Sequence, residues 1–152
     1  MSIESKLREL GVELPPVPKP VAAYIPGLRS GNLVFTSGQL PTVAGELRYQ
    51  GKVGGELTPE EGYEAARLCA INCLAVAKGI IGDLDRIVRV VKVVAFVASA
   101  PGFVAQPKVA NGASEFLGQV FGEAGQHARS AVGVAELPLG APVEVEMVFE
   151  VQ

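Results

Sequence analysis

The chain has one histidine and two cysteines in 152 residues. A single imidazole cannot supply a histidine metal triad. Cys69 and Cys73 are too few for a metal cage and too isolated for a disulfide framework. Four apart in a helical stretch, they share one helix face and read as reduced, buried thiols that behave as small hydrophobes. No apolar run of about 18 residues is free of charge or helix punctuation, so no membrane partner is expected. The first ten residues alternate charged with apolar side chains and lack the continuous hydrophobic region of a signal peptide. The expectation is a cytoplasmic protein. Basic residues are also scarce, with 13 Lys and Arg against 16 Asp and Glu and a net charge of −3. Arg86, Arg89 and Lys92 fall on alternating sides of a strand and form no stripe for phosphates, so no nucleic-acid partner is expected. A P-loop and a nucleophile elbow are missing, and Lys52-Val53-Gly54-Gly55 lacks the strand-to-helix context of a dinucleotide fingerprint. The reading calls for no cofactor and no metal.

What remains is a folded chain, 49% hydrophobic and 19% charged, of a length that makes about one domain. Residues 2–11 read as a short amphipathic helix ended by Gly11, and Pro15, Pro16, Pro18 and Pro20 as an extended arm, so that 1–20 is an N-terminal arm and 21–152 the domain. Strands are expected at Val21–Ile25 and Leu33–Ser37, followed by an irregular loop marked by Gly45, Gly51, Gly54 and Gly55. Thr58-Pro59-Glu60-Glu61 is a strong helix start, with threonine at the cap, proline at the first helical position and glutamate three beyond the cap. This helix should run to Ile81 and stop at Gly82. A valine-rich strand follows over Arg86–Ala98, then a helix over Gln106–Phe121, then strands over 128–134 and 143–149. The fold class is α+β in the order ββαβαββ.

Both faces of the long strand are apolar: Val91, Val93, Ala95 and Val97 alternate with Val88, Val90, Val94 and Phe96. Two helices can cover one side of such a sheet, so other subunits should cover the rest, in a closed homo-oligomer. The competing cover is the N-terminal arm, which is short and half polar.

Arg129 stands out because it interrupts an apolar strand. Side chains alternate in a strand, so Ser130, Val132 and Val134 share one face while Arg129, Ala131 and Gly133 share the other. In the last strand Val143, Val145, Met147 and Phe149 form the apolar face and leave Glu144 and Glu146 opposite. If the two apolar faces pack on one core, the guanidinium and an acid lie together on the outer side. Either Arg129 pairs with Glu144 or Glu146 and ties two strands, or it grips a small carboxylated ligand, which its planar fork suits bidentately. In the second case Glu144, partly desolvated, would position water and shuttle protons. His127 receives no role.

Ser37-Gly38-Gln39-Leu40-Pro41, Arg129-Ser130-Ala131-Val132, Leu137-Pro138 and Val143-Glu144-Val145-Glu146, in this order from about residue 21 to the end, resemble the Rid family. These reactive intermediate deaminases are also called the YjgF/YER057c/UK114 family and labelled endoribonuclease L-PSP. The resemblance implies a chorismate-mutase-like fold with two helices on one face of a mixed sheet. It also implies a homotrimer with inter-subunit clefts and cofactor-free hydrolysis of enamines and imines to 2-keto acids and ammonia. Arg129 resembles the arginine that clamps the substrate carboxylate and Glu144 the glutamate that helps activate water. Tyr24, Ser37, Gly38 and Asn111 resemble cleft-lining residues, the last reaching across the interface. Where many members carry a cysteine two residues after the arginine, this chain has Ala131. The N-terminal arm and the 44–56 loop resemble a longer branch of the family. A non-catalytic protein that holds a small carboxylated metabolite in the same cleft is the alternative. The ribonuclease reading of the old label conflicts with the acidic balance.

Overall fold

The computed structural model describes residues 1–17 and 23–152. It opens on helix α1 (Ile3–Glu9), whose cap Ser2 accepts the Ser5 N–H at 3.1 Å. Gly11 follows at φ 71°, a backbone setting that glycine takes without strain. Leu7 buries itself in the core, and the Ile3 N–H donates to Asp85 Oδ1 at 2.8 Å. A Glu4–Lys78 ion pair of 2.7 Å adds a surface tie. Residues 1–17 therefore lie along the helical layer and leave the opposite side of the sheet uncovered. Pro18 and Pro20 of the expected arm lie outside the described residues.

Strands β1 (Gly27–Ser30) and β2 (Leu33–Thr36) form the first hairpin. The first strand was expected at Val21–Ile25. Val21 and Ala22 lie outside the described residues, Ala23–Ile25 are not strand, and pairing begins only after Pro26, which has no N–H to give a ladder. Beyond β2 the chain stays beside the last strand: the Gln39 N–H donates to Val145 O at 2.8 Å and the Val145 N–H returns a bond to Gln39 O at 3.0 Å. The loop read as irregular contains a small hairpin, β3 (Thr42–Val43) with β4 (Glu46–Leu47). Its turn places both Ala44 (φ 54°) and Gly45 (φ 80°) at positive φ, the geometry that matches strand twist in a two-residue hairpin.

Helix α2 (Pro59–Ile81) begins at the expected capping box: the Glu61 N–H donates to Thr58 Oγ1 at 3.1 Å and the Thr58 N–H to Glu61 Oε1 at 2.9 Å. Thr58→Ala removes one of these bonds and is expected to lower stability by about 1 kcal/mol, read as a lower urea midpoint at unchanged slope. Gly82 ends the helix at φ 80°. Strand β5 (Ile87–Ala98), helix α3 (Gln106–Phe121), strand β6 (Ala128–Val134) and strand β7 (Val143–Val151) complete the chain. The two long helices cross at glycines: a Cβ at Gly112 would collide with the Tyr63 carbonyl, and one at Gly62 would press on Val109 and Val53.

The main sheet has the order β1-β2-β7-β5-β6, parallel only between β5 and β6. The order excludes the direct pairing of β6 with β7 that a cross-strand tie from Arg129 to Glu144 or Glu146 required. Helix α3 carries the chain from β5 to a parallel neighbour, a crossover that places β6 on one side of β5, and the 135–142 connection then returns the chain to β5's other side. Both long helices pack on one face, as expected, burying Val93, Ala95, Val97, Val145, Met147 and Phe149. Register slips between Ile87 and Arg89 and between Val90 and Lys92 shift the alternation, so Val90 is fully buried with this face and not with Val88, as the alternation had implied.

The second face carries Leu28, Phe35, Val148 and Lys92 in one cross-strand row, Glu146, Val94 and Ser130 in the next, and Glu144, Phe96 and Val132 in a third. No described helix lies over it. Phe35 is 39% exposed and Val132 42%.

Candidate functional site

The site residues fall into two clusters on opposite sides of the sheet. In the register of β5, Val93 pairs with both Arg129 and Met147, and laterally paired residues point the same way. Arg129 therefore points to the helical side, and Ser130 and Val132 share the bare face with Glu144 and Glu146. The expectation that the guanidinium and the acid lie on one outer side is overturned. The reason is that β6 is an edge strand at the rim of the core, where its small Ala131 and Gly133 can face the helices and its valines can face outward.

At that rim the guanidinium meets α3. Arg129 Nη1 donates to Asn111 Oδ1 at 2.8 Å and to Ser114 Oγ at 3.1 Å. Among the described residues no carboxylate comes within ion-pair distance of Arg129, so neither Glu144 nor Glu146 uses it as a strand tie. Beside it lies a cavity of about 320 Å³ lined by Ser114, Gly118, Gly125, Gln126, His127 and Arg129. His127 Nδ1 is 3.1 Å from Ala128 O. Burial lowers the His127 pKa below the usual histidine value, and the Arg129 charge adds to that against the opposing bond to Ala128. The imidazole is therefore neutral at neutral pH and leaves Arg129 as the cavity's cation. Asn111 also faces a neighbouring groove of about 410 Å³ with Tyr63, Lys108 and Glu115. Burial, then Glu115, raises the Tyr63 phenol there.

The second cluster forms where Ser37-Gly38-Gln39 runs beside β7. Ser37 Oγ donates to Ile25 O at 2.7 Å and its N–H to Pro26 O at 2.7 Å, which fixes the corner. A Cβ at Gly38 would run into the Glu144 carboxylate, so glycine is what lets the acid lie against this backbone. Glu144 is half-buried, and its pKa is raised first by loss of water and then by Glu146. Tyr24 precedes the Ile25 tie and is 60% exposed. Of the six predicted residues, Ser37, Gly38 and Glu144 thus gather on one side, with Tyr24 just before the corner that Ser37 fixes, and Asn111 and Arg129 on the other. Arg129 lies two strands from β7 and level with Met147, three residues from Glu144. At about 4.8 Å per strand and 3.3 Å per residue their backbones stand about 14 Å apart, with the side chains facing away from each other.

Ser114, which the sequence did not single out, and His127, which received no role, join the arginine. The one available signal was the spacing of Ser114 three residues after Asn111 on one helix face. Cys69 and Cys73 face β7 from behind, 3.6 Å from Val143 O and 3.4 Å from Val145 O. Burial pushes the Cys73 thiol up to about 12 and raises Cys69 as well, so both are inert packing groups, as read.

A mixed sheet backed on one side by two long helices, with a short third helix at the chain start, defines an α+β protein of the chorismate-mutase-like YjgF type. The family model described as "YjgF/chorismate_mutase-like, putative endoribonuclease" matches residues 4–151, and the chain belongs to this family. It is 46% identical to Protein TCP17 of Trypanosoma cruzi over 97% of this chain and 93% of that one. It is 30% identical to a 2-iminobutanoate/2-iminopropanoate deaminase of Dermatophagoides farinae over 93% of this chain and 95% of that one. The crystal structure of the protein Atu1372, of unknown function, from Agrobacterium tumefaciens is 46% identical and superposes with a TM-score of 0.91, covering 99% of this chain and 92% of that one.

Proposed function

We propose that this protein hydrolyses small 2-imino acids, and the enamines in equilibrium with them, to 2-keto acids and ammonia in a cleft built by two copies of the chain. The observation that carries this reading is the presence, on opposite sides of one protomer, of a guanidinium with no described carboxylate partner and of a half-buried glutamate. A substrate of three or four carbons cannot touch both across about 14 Å of sheet. Arg129 of one subunit and Glu144 of another can. The bare apolar face supplies the means of assembly, because a patch holding Leu28, Phe35, Phe96 and Val132 favours burial against copies of itself, and a closed homotrimer satisfies each copy alike. The deaminase relative supports the substrate class.

The chemistry asks little of the protein. The carbon of a protonated imine is already electrophilic, and Arg129 holds the substrate by its carboxylate. Glu144 takes a proton as water oxygen bonds to that carbon and the C=N pair moves to nitrogen. The proton then passes to nitrogen, the C–N bond breaks as the hydroxyl gives its remaining proton to Glu144 and the C=O bond forms, and the ammonia takes that proton as it leaves as ammonium. No step draws on a metal or an organic cofactor.

The test generates an imino acid in situ with an amino-acid oxidase and follows its decay. Decay faster with protein than without supports hydrolysis. An unchanged rate together with 2-keto acid binding would instead establish a carboxylate-binding regulatory protein. Phe35→Lys places a charge in the apolar face and is expected to yield monomers in analytical ultracentrifugation, with turnover lost and the circular dichroism spectrum kept. An active monomer contradicts the shared cleft.

A further inference from the structure

Arg129 carries five N–H groups, and α3 accounts for two of them. Nη1 donates to Asn111 Oδ1 at 2.8 Å and to Ser114 Oγ at 3.1 Å, which uses both of its hydrogens. Asn111 and Ser114 stand three apart on α3, so they lie one above the other on the same helix face. Two short side chains rooted in a sixteen-residue helix therefore hold one nitrogen. Among the described residues the Nε–H and the Nη2 hydrogens have no partner, and they form the side-on fork of the guanidinium. Space for a ligand lies alongside: Ser114 and Arg129 both line the 320 Å³ cavity, and a Cβ added at Gly118, one turn beyond Ser114, would meet nothing within 4 Å.

We propose, on the basis of the carboxylate-binding role given to Arg129 above, that Ser114 is a positioning residue. With Asn111 it holds Nη1 against α3, so that the substrate carboxylate meets the Nε and Nη2 edge, side-on. An arginine left free divides its time among many rotamers and gives up that freedom when a ligand binds. Held beforehand, it gives up little. Removing the Ser114 hydroxyl leaves one Nη1 hydrogen without a partner and frees the fork to rotate. An acid at this position would do the opposite, drawing the guanidinium into a permanent internal pair.

The experiment measures binding of 2-oxobutanoate by calorimetry, imino acid turnover, and the Nη resonances of Arg129 by NMR in the full-length protein. Ser114→Ala is expected to raise both Kd and KM about tenfold, equivalent to about 1.4 kcal/mol, with kcat changed less than twofold. Ser114→Thr, which keeps an Oγ, restores both. Ser114→Asp abolishes binding with the circular dichroism spectrum unchanged. Distinct, slowly exchanging Nη1 and Nη2 signals in the wild type should merge in Ser114→Ala. A change in kcat alone would mark a merely structural role for Ser114 and overturn the inference, as would wild-type KM and distinct Nη signals in Ser114→Ala. A wild type with merged Nη signals refutes the clamp even where turnover is normal. A wild type with distinct signals but neither binding nor turnover removes the functional reading, and this inference with it.

Discussion

Arg129→Ala is expected to lower 2-keto acid affinity and imino acid turnover at least 100-fold while the protein stays folded and assembled. The side chain sits at the rim of the core, bonded to two neutral groups, Asn111 and Ser114, and to no described carboxylate, so its loss leaves no buried charge without a partner. The ligand loses a charge-assisted, two-point contact worth about 3 kcal/mol or more, which sets the size of the effect. Arg129→Lys should recover a fraction only, since an ammonium keeps the charge but cannot offer two parallel N–H groups. Calorimetric titration with 2-oxobutanoate checks both variants. Undiminished affinity in Arg129→Ala would show that the carboxylate binds elsewhere.

Glu144→Gln is expected to cut turnover by about 10² to 10⁴, the usual contribution of a general acid or base, and to leave 2-keto acid binding nearly intact. The same change should raise stability at neutral pH. The Glu144 pKa is raised, so the fold prefers its protonated form, and wild-type stability falls as pH climbs from the ordinary glutamate range through the raised value. The glutamine variant has no such loss. Thermal unfolding should place its melting temperature above the wild type at pH 7 and level with it near pH 4, a stability gain set against lost activity. Turnover by the wild type should rise with pH through a value above the ordinary glutamate range, since in the proposed mechanism the ionised carboxylate accepts the water proton. A Glu144→Gln variant that turns over at the wild-type rate would remove the acid from the chemistry.

Local chemistry was legible wherever a few neighbouring residues set the outcome. Thr58-Pro59-Glu60-Glu61 starts α2 because cap, proline and reciprocal glutamate all act within one turn. Gly82 ends that helix for an equally local reason. Helix α3 occupies Gln106–Phe121, the span read from its pattern. The start of β1 and the β3–β4 hairpin were missed. Pairing there depends on which strand offers free N–H and C=O groups, and the Ala44-Gly45 turn puts a non-glycine residue at φ 54° with no strong turn signal.

The amino-acid order by itself determined the α+β class, the family and the sheet with one apolar face too many, and it marked out Arg129 and Glu144, with Gly38 and Asn111 by resemblance, as candidates. The class, the apolar faces and the choice of Arg129 and Glu144 rest on residue type and on a period of two or 3.6 along the chain, while the family and the other candidates rest on short motifs that resemble it. Only the tertiary structure decided that β5 stands between β6 and β7, that slips in β5 bury Val90, and that Arg129 faces the helices while Glu144 faces the bare side. Alternation states which side chains of one strand share a face, but not toward which layer that face turns. That choice is made by the strand's neighbours, and a one-residue change of register reverses it.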